Sequence, residues 1–153
     1  MFLGGHDALT ELGNRYALNQ TLIMLSEMSV PVGICYTDIN GLKAINDEKG
    51  HQEGDRLIKE TAELVGSVFK KKNCYRIGGD EFVAVIANIE EDKFNDLVDK
   101  LISRSKKVSI AIGHKWSRSS KDVNKVIKGA DENMYKDKAK FYKNHERRHA
   151  NNT

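Results

Sequence analysis

The stretch "NCYRIGGDEFVAVI", residues 73–86, limits the possible folds more than any other part of the chain. Two short apolar runs flank Gly78 and Gly79, and Asp80 and Glu81 follow the glycines at once. A glycine pair between β-prone runs reads as the turn of a β-hairpin. The second run, Phe82 to Ala87, is continuously apolar, the pattern of a buried strand. The two carboxylates then stand at the mouth of that strand. Charge there is costly to bury unless it is paired or holds a cation.

The rest of the pattern builds a sheet around the hairpin. "VGICYTDI" is apolar until Asp38 and reads as a buried central strand. "KVSIAIGH" alternates Val108, Ile110 and Ile112 as a half-buried strand. Helical spacing of apolar residues appears in "RYALNQTLIMLSEM", "DRLIKETAELVGSVF" and "EEDKFNDLVDKLISRS", and a last helix runs from about Lys121 into a basic end. "GLKAINDEKGHQEGD" reads as a short helical turn, then a glycine-punctuated loop, with Asp55 starting the next helix. This order predicts an α+β domain with a palm-like, mainly antiparallel central sheet, a βαββαβ core flanked by helices.

Composition removes several function classes. At 153 residues the chain is one domain with room for a core. Its net charge of +3 is too balanced to argue for nucleic acid. No apolar run is long enough to span a membrane, and nothing resembles a secretory leader. Cys35 and Cys74 sit in or beside apolar runs, as buried thiols do, and predict a reducing, cytoplasmic setting. The five histidines lack zinc-ligand spacing. The late basic residues Lys136, Lys138, Lys140 and Lys143 read as a solvated helix unless a phosphate site lies nearby.

Two constellations carry chemistry. Asp38 ends the central strand, and Asp80 lies at the tip of the hairpin expected beside it. On neighbouring strand ends they make an all-oxygen site, which suits Mg²⁺ with waters and phosphate oxygens as its other ligands. Acidic residues beside a glycine turn also occur on plain exposed hairpins. Asn46 and Asp55 flank the expected loop. A carboxylate there can accept both guanine N1–H and N2–H₂, a donor pair that adenine lacks. Taken singly, Asn46 reads first as a helix C-cap and Asp55 as an N-cap. Gly41 permits close backbone approach, so that amides of residues 40–43 can hold phosphate oxygens.

Taken together, "DALTELGNR", "DINGLKAINDEKGHQEGD" and "RIGGDEF" resemble the GGDEF family, the diguanylate cyclases, from Asp7 to about Asn144. The resemblance implies a palm-like fold and condensation of two GTP into cyclic di-GMP with release of two pyrophosphates. Each domain of a transient homodimer would supply half of the active site. It implies that Asp38, the Ile39 carbonyl, Asp80 and Glu81 hold Mg²⁺, with Mn²⁺ as the alternative. Asp80 would accept the 3′-hydroxyl proton, with Glu81 in support and Lys43 beside the triphosphate. Asn46 and Asp55 would contact guanine. Asn40, Gly41, Leu42, Gly79, Lys138 and Lys143 would line the phosphates. Residues 1–6 would be linker, 7–144 the domain and 145–153 a flexible basic tail. A sensory or receiver domain would precede Asp7, and the cytoplasmic chain could belong to a larger, membrane-anchored protein.

Some positions depart from the family pattern. Phe69 and Lys72 stand where an inhibitory Arg-x-x-Asp pair is frequent, which implies that this product site is missing. Asn40 and Leu42 replace a frequent Asp and Phe, and Tyr142 falls where a phosphate-binding Arg is usual, with Lys143 one residue on. A catalytically silent GTP- or dinucleotide-binding module and a pure dimerisation domain are the alternative readings.

Overall fold

The computed structural model describes residues 4–151, and side chains as far as Asn144. In chain order the elements are α1 (Arg15–Ser26), β1 (Val32–Ile39), α2 (Leu42–Lys49), α3 (His51–Phe69), β2 (Cys74–Arg76), β3 (Glu81–Ala87), α4 (Glu91–Arg104), β4 (Ile110–Ser117) and α5 (Val123–Asn151). The strands form one sheet in the order β2-β3-β1-β4, and every neighbouring pair is antiparallel. This is the expected βαββαβ palm.

Period-two side-chain alternation along the strands divides the core into two layers. Cys35, Ile39, Phe82 and Ala84 pack under Ile58, Val65 and Phe69 of α3 and Phe94, Val98 and Leu101 of α4. Ile34, Tyr36, Val83, Val85 and Ala111 face Leu18 and Leu25 of α1 and Val126, Ala130 and Met134 of α5. All eight residues of β1 are buried, so the strand that carries Asp38 is fixed on both faces and both edges. β4 is covered on both faces as well: Ile110 and Ile112 face the α3–α4 layer, while Ala111 and Gly113 lie under α5.

α5 approaches β4 unusually closely. A Cβ at Gly113 would lie 2.0 Å from the Met134 nitrogen and 2.2 Å from the Ala130 carbonyl oxygen. Asp137 secures the same contact by accepting a 2.9 Å hydrogen bond from Ile112 N–H. α5 is therefore clamped to the sheet immediately before Lys138.

The loop expected before Asp55 is not there. α2 runs two turns, a single residue, Gly50, makes the corner at φ 89°, and α3 begins at His51. Only glycine adopts that left-handed conformation freely, which is how one residue reverses the chain. Asp55 is therefore a first-turns residue inside α3 rather than its N-cap, and Asn46 lies within α2 rather than at its end.

Of the residues expected as linker, 1–3 lie outside the described residues, while Gly5 and His6 contact the N-terminal turn. Gly5 accepts from Asn14 N–H, and His6 bridges Gly13. α5 continues past Asn144 to Asn151, into the expected tail. The remaining tail residues, 152 and 153, lie outside the described residues.

Candidate active site

The antiparallel register brings the acidic residues together. Asp38 stands opposite Glu81 across the β1–β3 ladder, and Ile39 N–H donates to the Asp80 carbonyl at 3.0 Å. Asp38 is 6% exposed. Burial is the main force pushing its carboxyl up, to about 7. The Asp80 carboxyl, within hydrogen-bonding reach, adds to the rise, and Lys138 opposes it.

Lys138 meets this acidic end from α5. Its Nζ is 2.9 Å from Asp38 Oδ1 and donates to the Ile39 carbonyl at 3.3 Å. The two side chains are 18% and 8% exposed, so the ion pair is largely out of solvent. Asp38 Oδ1 has this ionic neighbour but no aligned hydrogen-bond donor.

Glu81 opens β3 and is half-buried. It accepts a long 3.4 Å hydrogen bond from the Tyr36 hydroxyl, two residues before Asp38 on the same face of β1. Burial first, then the Glu81 charge, push the Tyr36 phenol well above its ordinary range, so it remains a proton donor.

These oxygens satisfy the chemistry of a hard cation. Asp38, the Ile39 carbonyl and Asp80 offer oxygen donors only, and an ammonium already stands between two of them. Among the described residues, no three His, Cys, Asp or Glu side chains gather into a ready-made metal cage. An oxygen-only set of this kind suits Mg²⁺, which retains waters and completes its shell with phosphate oxygens.

The second constellation lies on the α2–α3 corner. Asn46 Oδ1 is buried without a hydrogen-bond partner. It occupies the space over Gly54, where a Cβ would lie 1.7 Å away. Asp55, the next residue, is exposed. The Asn46 amide thus packs against α3 at the residue before Asp55, in the room that Gly54 leaves by lacking a side chain. Orphaned buried acceptors are uncommon in folded proteins, and one at a helix corner is suited to a polar ligand.

The remaining candidates divide by depth. Gly41 precedes α2 at φ 70° with nothing within 4 Å of its would-be Cβ. Leu42 is buried in the core, and Lys43 is exposed on the first turn of α2. Asn40 is buried: its N–H and Nδ2 bind the Ser109 carbonyl and hydroxyl at 2.9 and 3.1 Å, while its Oδ1 has no partner. That amide braces the β1 end against the segment before β4. Gly79 is exposed at the hairpin tip. Lys143 is exposed and shares an open groove of about 370 Å³ with Tyr135, Lys138, Ala139 and Tyr142. At the absent product pair, Phe69 is 2% exposed in the core and Lys72 is exposed.

Sequence reasoning missed the support of the hairpin. Arg76 donates to the Gly79 carbonyl at 3.0 and 3.3 Å and pairs with Asp7 at 3.2 Å. Asp7 also accepts from the Thr10 N–H and hydroxyl. Burial alone would raise the Asp7 carboxyl, but the Thr10 hydrogen bonds and the Arg76 charge together hold it below its ordinary value. The Asp-x-x-Thr spacing signals the local turn, whereas the partner 69 residues away carries no local signal. Tyr36 and Asp137 went unnoticed because each sits among core residues or helix charges.

A four-stranded antiparallel palm with carboxylates at the end of its inner strands defines the class. The chain belongs to the family described as "Diguanylate cyclase, GGDEF domain", which matches residues 5–144. It is 36% identical over 104 residues to the bifunctional diguanylate cyclase/cyclic di-GMP phosphodiesterase MucR of Pseudomonas aeruginosa, covering 65% of this chain and 15% of that protein. It is 29% identical over 147 residues to the diguanylate cyclase DgcS of Shewanella oneidensis, covering 87% and 49%. The chain thus spans less than half the length of either relative. Among solved structures, the GGDEF domain of DgcB from Caulobacter crescentus in complex with c-di-GMP superposes with TM-score 0.75 at 23% identity, covering 91% and 92% of the two chains. The FimX GGDEF domain of Pseudomonas aeruginosa gives TM-score 0.74 at 17% identity, covering 88% and 96%. No helix among the described residues is long and apolar enough to cross a membrane.

Proposed function

We propose that this domain is a diguanylate cyclase that joins two GTP into cyclic di-GMP, each of two facing domains supplying half of the active site. The observation that carries the reading is the cation position at the end of β1. Asp38 and the Ile39 carbonyl already hold a positive charge there, with Asp80 adjacent. Asp38, Ile39 and Asp80 would hold Mg²⁺, with Glu81 completing the acidic edge. When bound, the metal neutralises phosphate charge and lowers the pKa of the attacking hydroxyl.

The chain's own residues do the rest. Asn46 and Asp55 take the guanine edge, and Gly54 leaves the room that the Asn46 amide occupies. The backbone of Asn40, Gly41 and Leu42 borders the phosphates, with Lys43 and Lys143 as flanking cations. Gly79 leaves the hairpin tip open to the reacting phosphate. Asp80 accepts the 3′-hydroxyl proton as that oxygen attacks the partner nucleotide's α-phosphate, and pyrophosphate leaves. One domain holds only one nucleotide, so bringing two domains face to face supplies the proximity on which the rate depends.

The domain proper is residues 7–144, acting in the cytoplasm behind an upstream sensory or receiver domain. Incubation with GTP and Mg²⁺, with products resolved by mass, tests the reading. Cyclic di-GMP from the intact chain and none from Asp80→Ala is expected. A folded chain that makes no dinucleotide with either Mg²⁺ or Mn²⁺ would leave a GTP-binding module in its place.

A further inference from the structure

The side chain of Lys138 occupies the position that the acidic oxygens would offer to a metal. Its Nζ contacts Asp38 Oδ1 at 2.9 Å and the Ile39 carbonyl at 3.3 Å. These are two of the three oxygen donors assigned above to Mg²⁺, and the inference rests on that assignment. We propose that Lys138 is an exchangeable internal cation: it fills the metal position of the nucleotide-free domain and must swing away before a divalent ion can enter.

Two contacts of α5 make the Lys138 side chain, rather than the helix, the moving part. The α5 backbone presses on Gly113 of β4 so closely that no Cβ fits between them. Asp137, the residue before Lys138, is tied to the Ile112 N–H at 2.9 Å. A shift of α5 would break both contacts, whereas the four-carbon lysine stem rotates freely.

The ammonium also has a place to go. Lys138 lines the open groove with Tyr135, Ala139, Tyr142 and Lys143, and its Nζ already lies 5.7 Å from the centre of the Tyr142 ring. Swinging outward would carry it over that aromatic face and toward anionic phosphates arriving in the groove. A buried carboxylate left without a cation is strongly disfavoured. Lysine and metal therefore exchange, and Asp38 is never left unpaired. Metal affinity should be weak without nucleotide and should rise when the triphosphate draws the lysine off. The coupling is reciprocal: bound metal should free Lys138 for the nucleotide.

The test is Mn²⁺ binding to the nucleotide-free chain, followed by calorimetry at mildly alkaline pH. Lys138→Met should bind Mn²⁺ about fivefold or more tightly than wild type. Lys138→Arg, which keeps the charge, should bind weakly, as wild type does. A folded Lys138→Met that binds no more tightly, or no detectable binding in both proteins, overturns the proposal. Should Lys138→Met fail to fold, the wild type decides. Mg²⁺ should shift the Lys138 CεH₂ resonance, identified by its absence from the Lys138→Arg spectrum, and an unmoved resonance overturns the proposal. No turnover is involved. A chain unable to make cyclic di-GMP would remove the proposed function without altering this readout.

Discussion

Gly54→Ala separates the stability of the α2–α3 corner from its use. Gly54 lies inside α3, where alanine favours the helix by about 1 kcal/mol. The new Cβ would lie 1.7 Å from Asn46 Oδ1 and 2.8 Å from its Cγ, too close for both to remain. The nearby atoms belong to the far end of a side chain, so Asn46 can rotate away. Its Oδ1 has no hydrogen-bond partner to lose. A forced off-rotamer Asn46 costs about 0.5–1.5 kcal/mol, close to the helical gain. Urea denaturation should therefore find the variant within about 1 kcal/mol of wild type. Nucleotide binding should respond differently. In the proposed site, displacing the amide leaves a guanine group unsatisfied, which should weaken binding by about 1–3 kcal/mol, roughly 5- to 150-fold. Calorimetry with 3′-deoxy-GTP, which lacks the attacking hydroxyl, measures this without turnover. Unchanged affinity would remove Asn46 from the nucleotide site. A large stability loss would mean that the two helices, not the side chain, absorb the clash.

Other perturbations test the supports. Gly113→Ala should lower stability by about 1–3 kcal/mol or more in urea, because its Cβ meets backbone atoms of α5 rather than a flexible side chain; wild-type stability would show that α5 can yield. Asp7 has a folded-state pKa below its unfolded one, so its contribution is present above the ordinary carboxylate range and is lost as pH falls through the lowered value. The stability gap between wild type and Asp7→Asn should accordingly be widest near neutrality and shrink in acid, and a constant gap in urea midpoints would contradict the assignment. Titration of cyclic di-GMP should leave the initial rate nearly unchanged, since buried Phe69 and exposed Lys72 cannot form an Arg–Asp pair; strong inhibition would locate product on another basic surface.

What the sequence made legible was whatever depends on local pattern. The apolar run before Asp38, the glycine turn before Asp80 and the spacing of the helices predict the palm and place the two aspartates at neighbouring strand ends. The α2–α3 corner was misjudged because Gly50 and Gly54 look alike in sequence yet act differently. Gly50 turns the chain in one residue, whereas Gly54 stays helical and makes room for Asn46. Contacts between distant segments left no local trace. Nothing near Lys138 in sequence signals its contacts with Asp38 and Ile39, which the tight packing of α5 on β4 sets up. Arg76 looked like one more strand residue until the fold set it between Asp7 and Gly79.

In the proposed mechanism one domain holds half of a reaction. The direct test is the initial rate of cyclic di-GMP formation per mole of chain, followed by mass across a wide dilution series with GTP and Mg²⁺. Encounter of two loaded domains carries the translational and rotational cost of association. Specific activity should therefore rise with protein concentration, and a dimeric coiled coil fused before Asp7 should raise it further at high dilution. A rate per mole that stays flat while the chain remains monomeric, or the absence of any dinucleotide from the folded protein, would contradict a half-site shared between two domains.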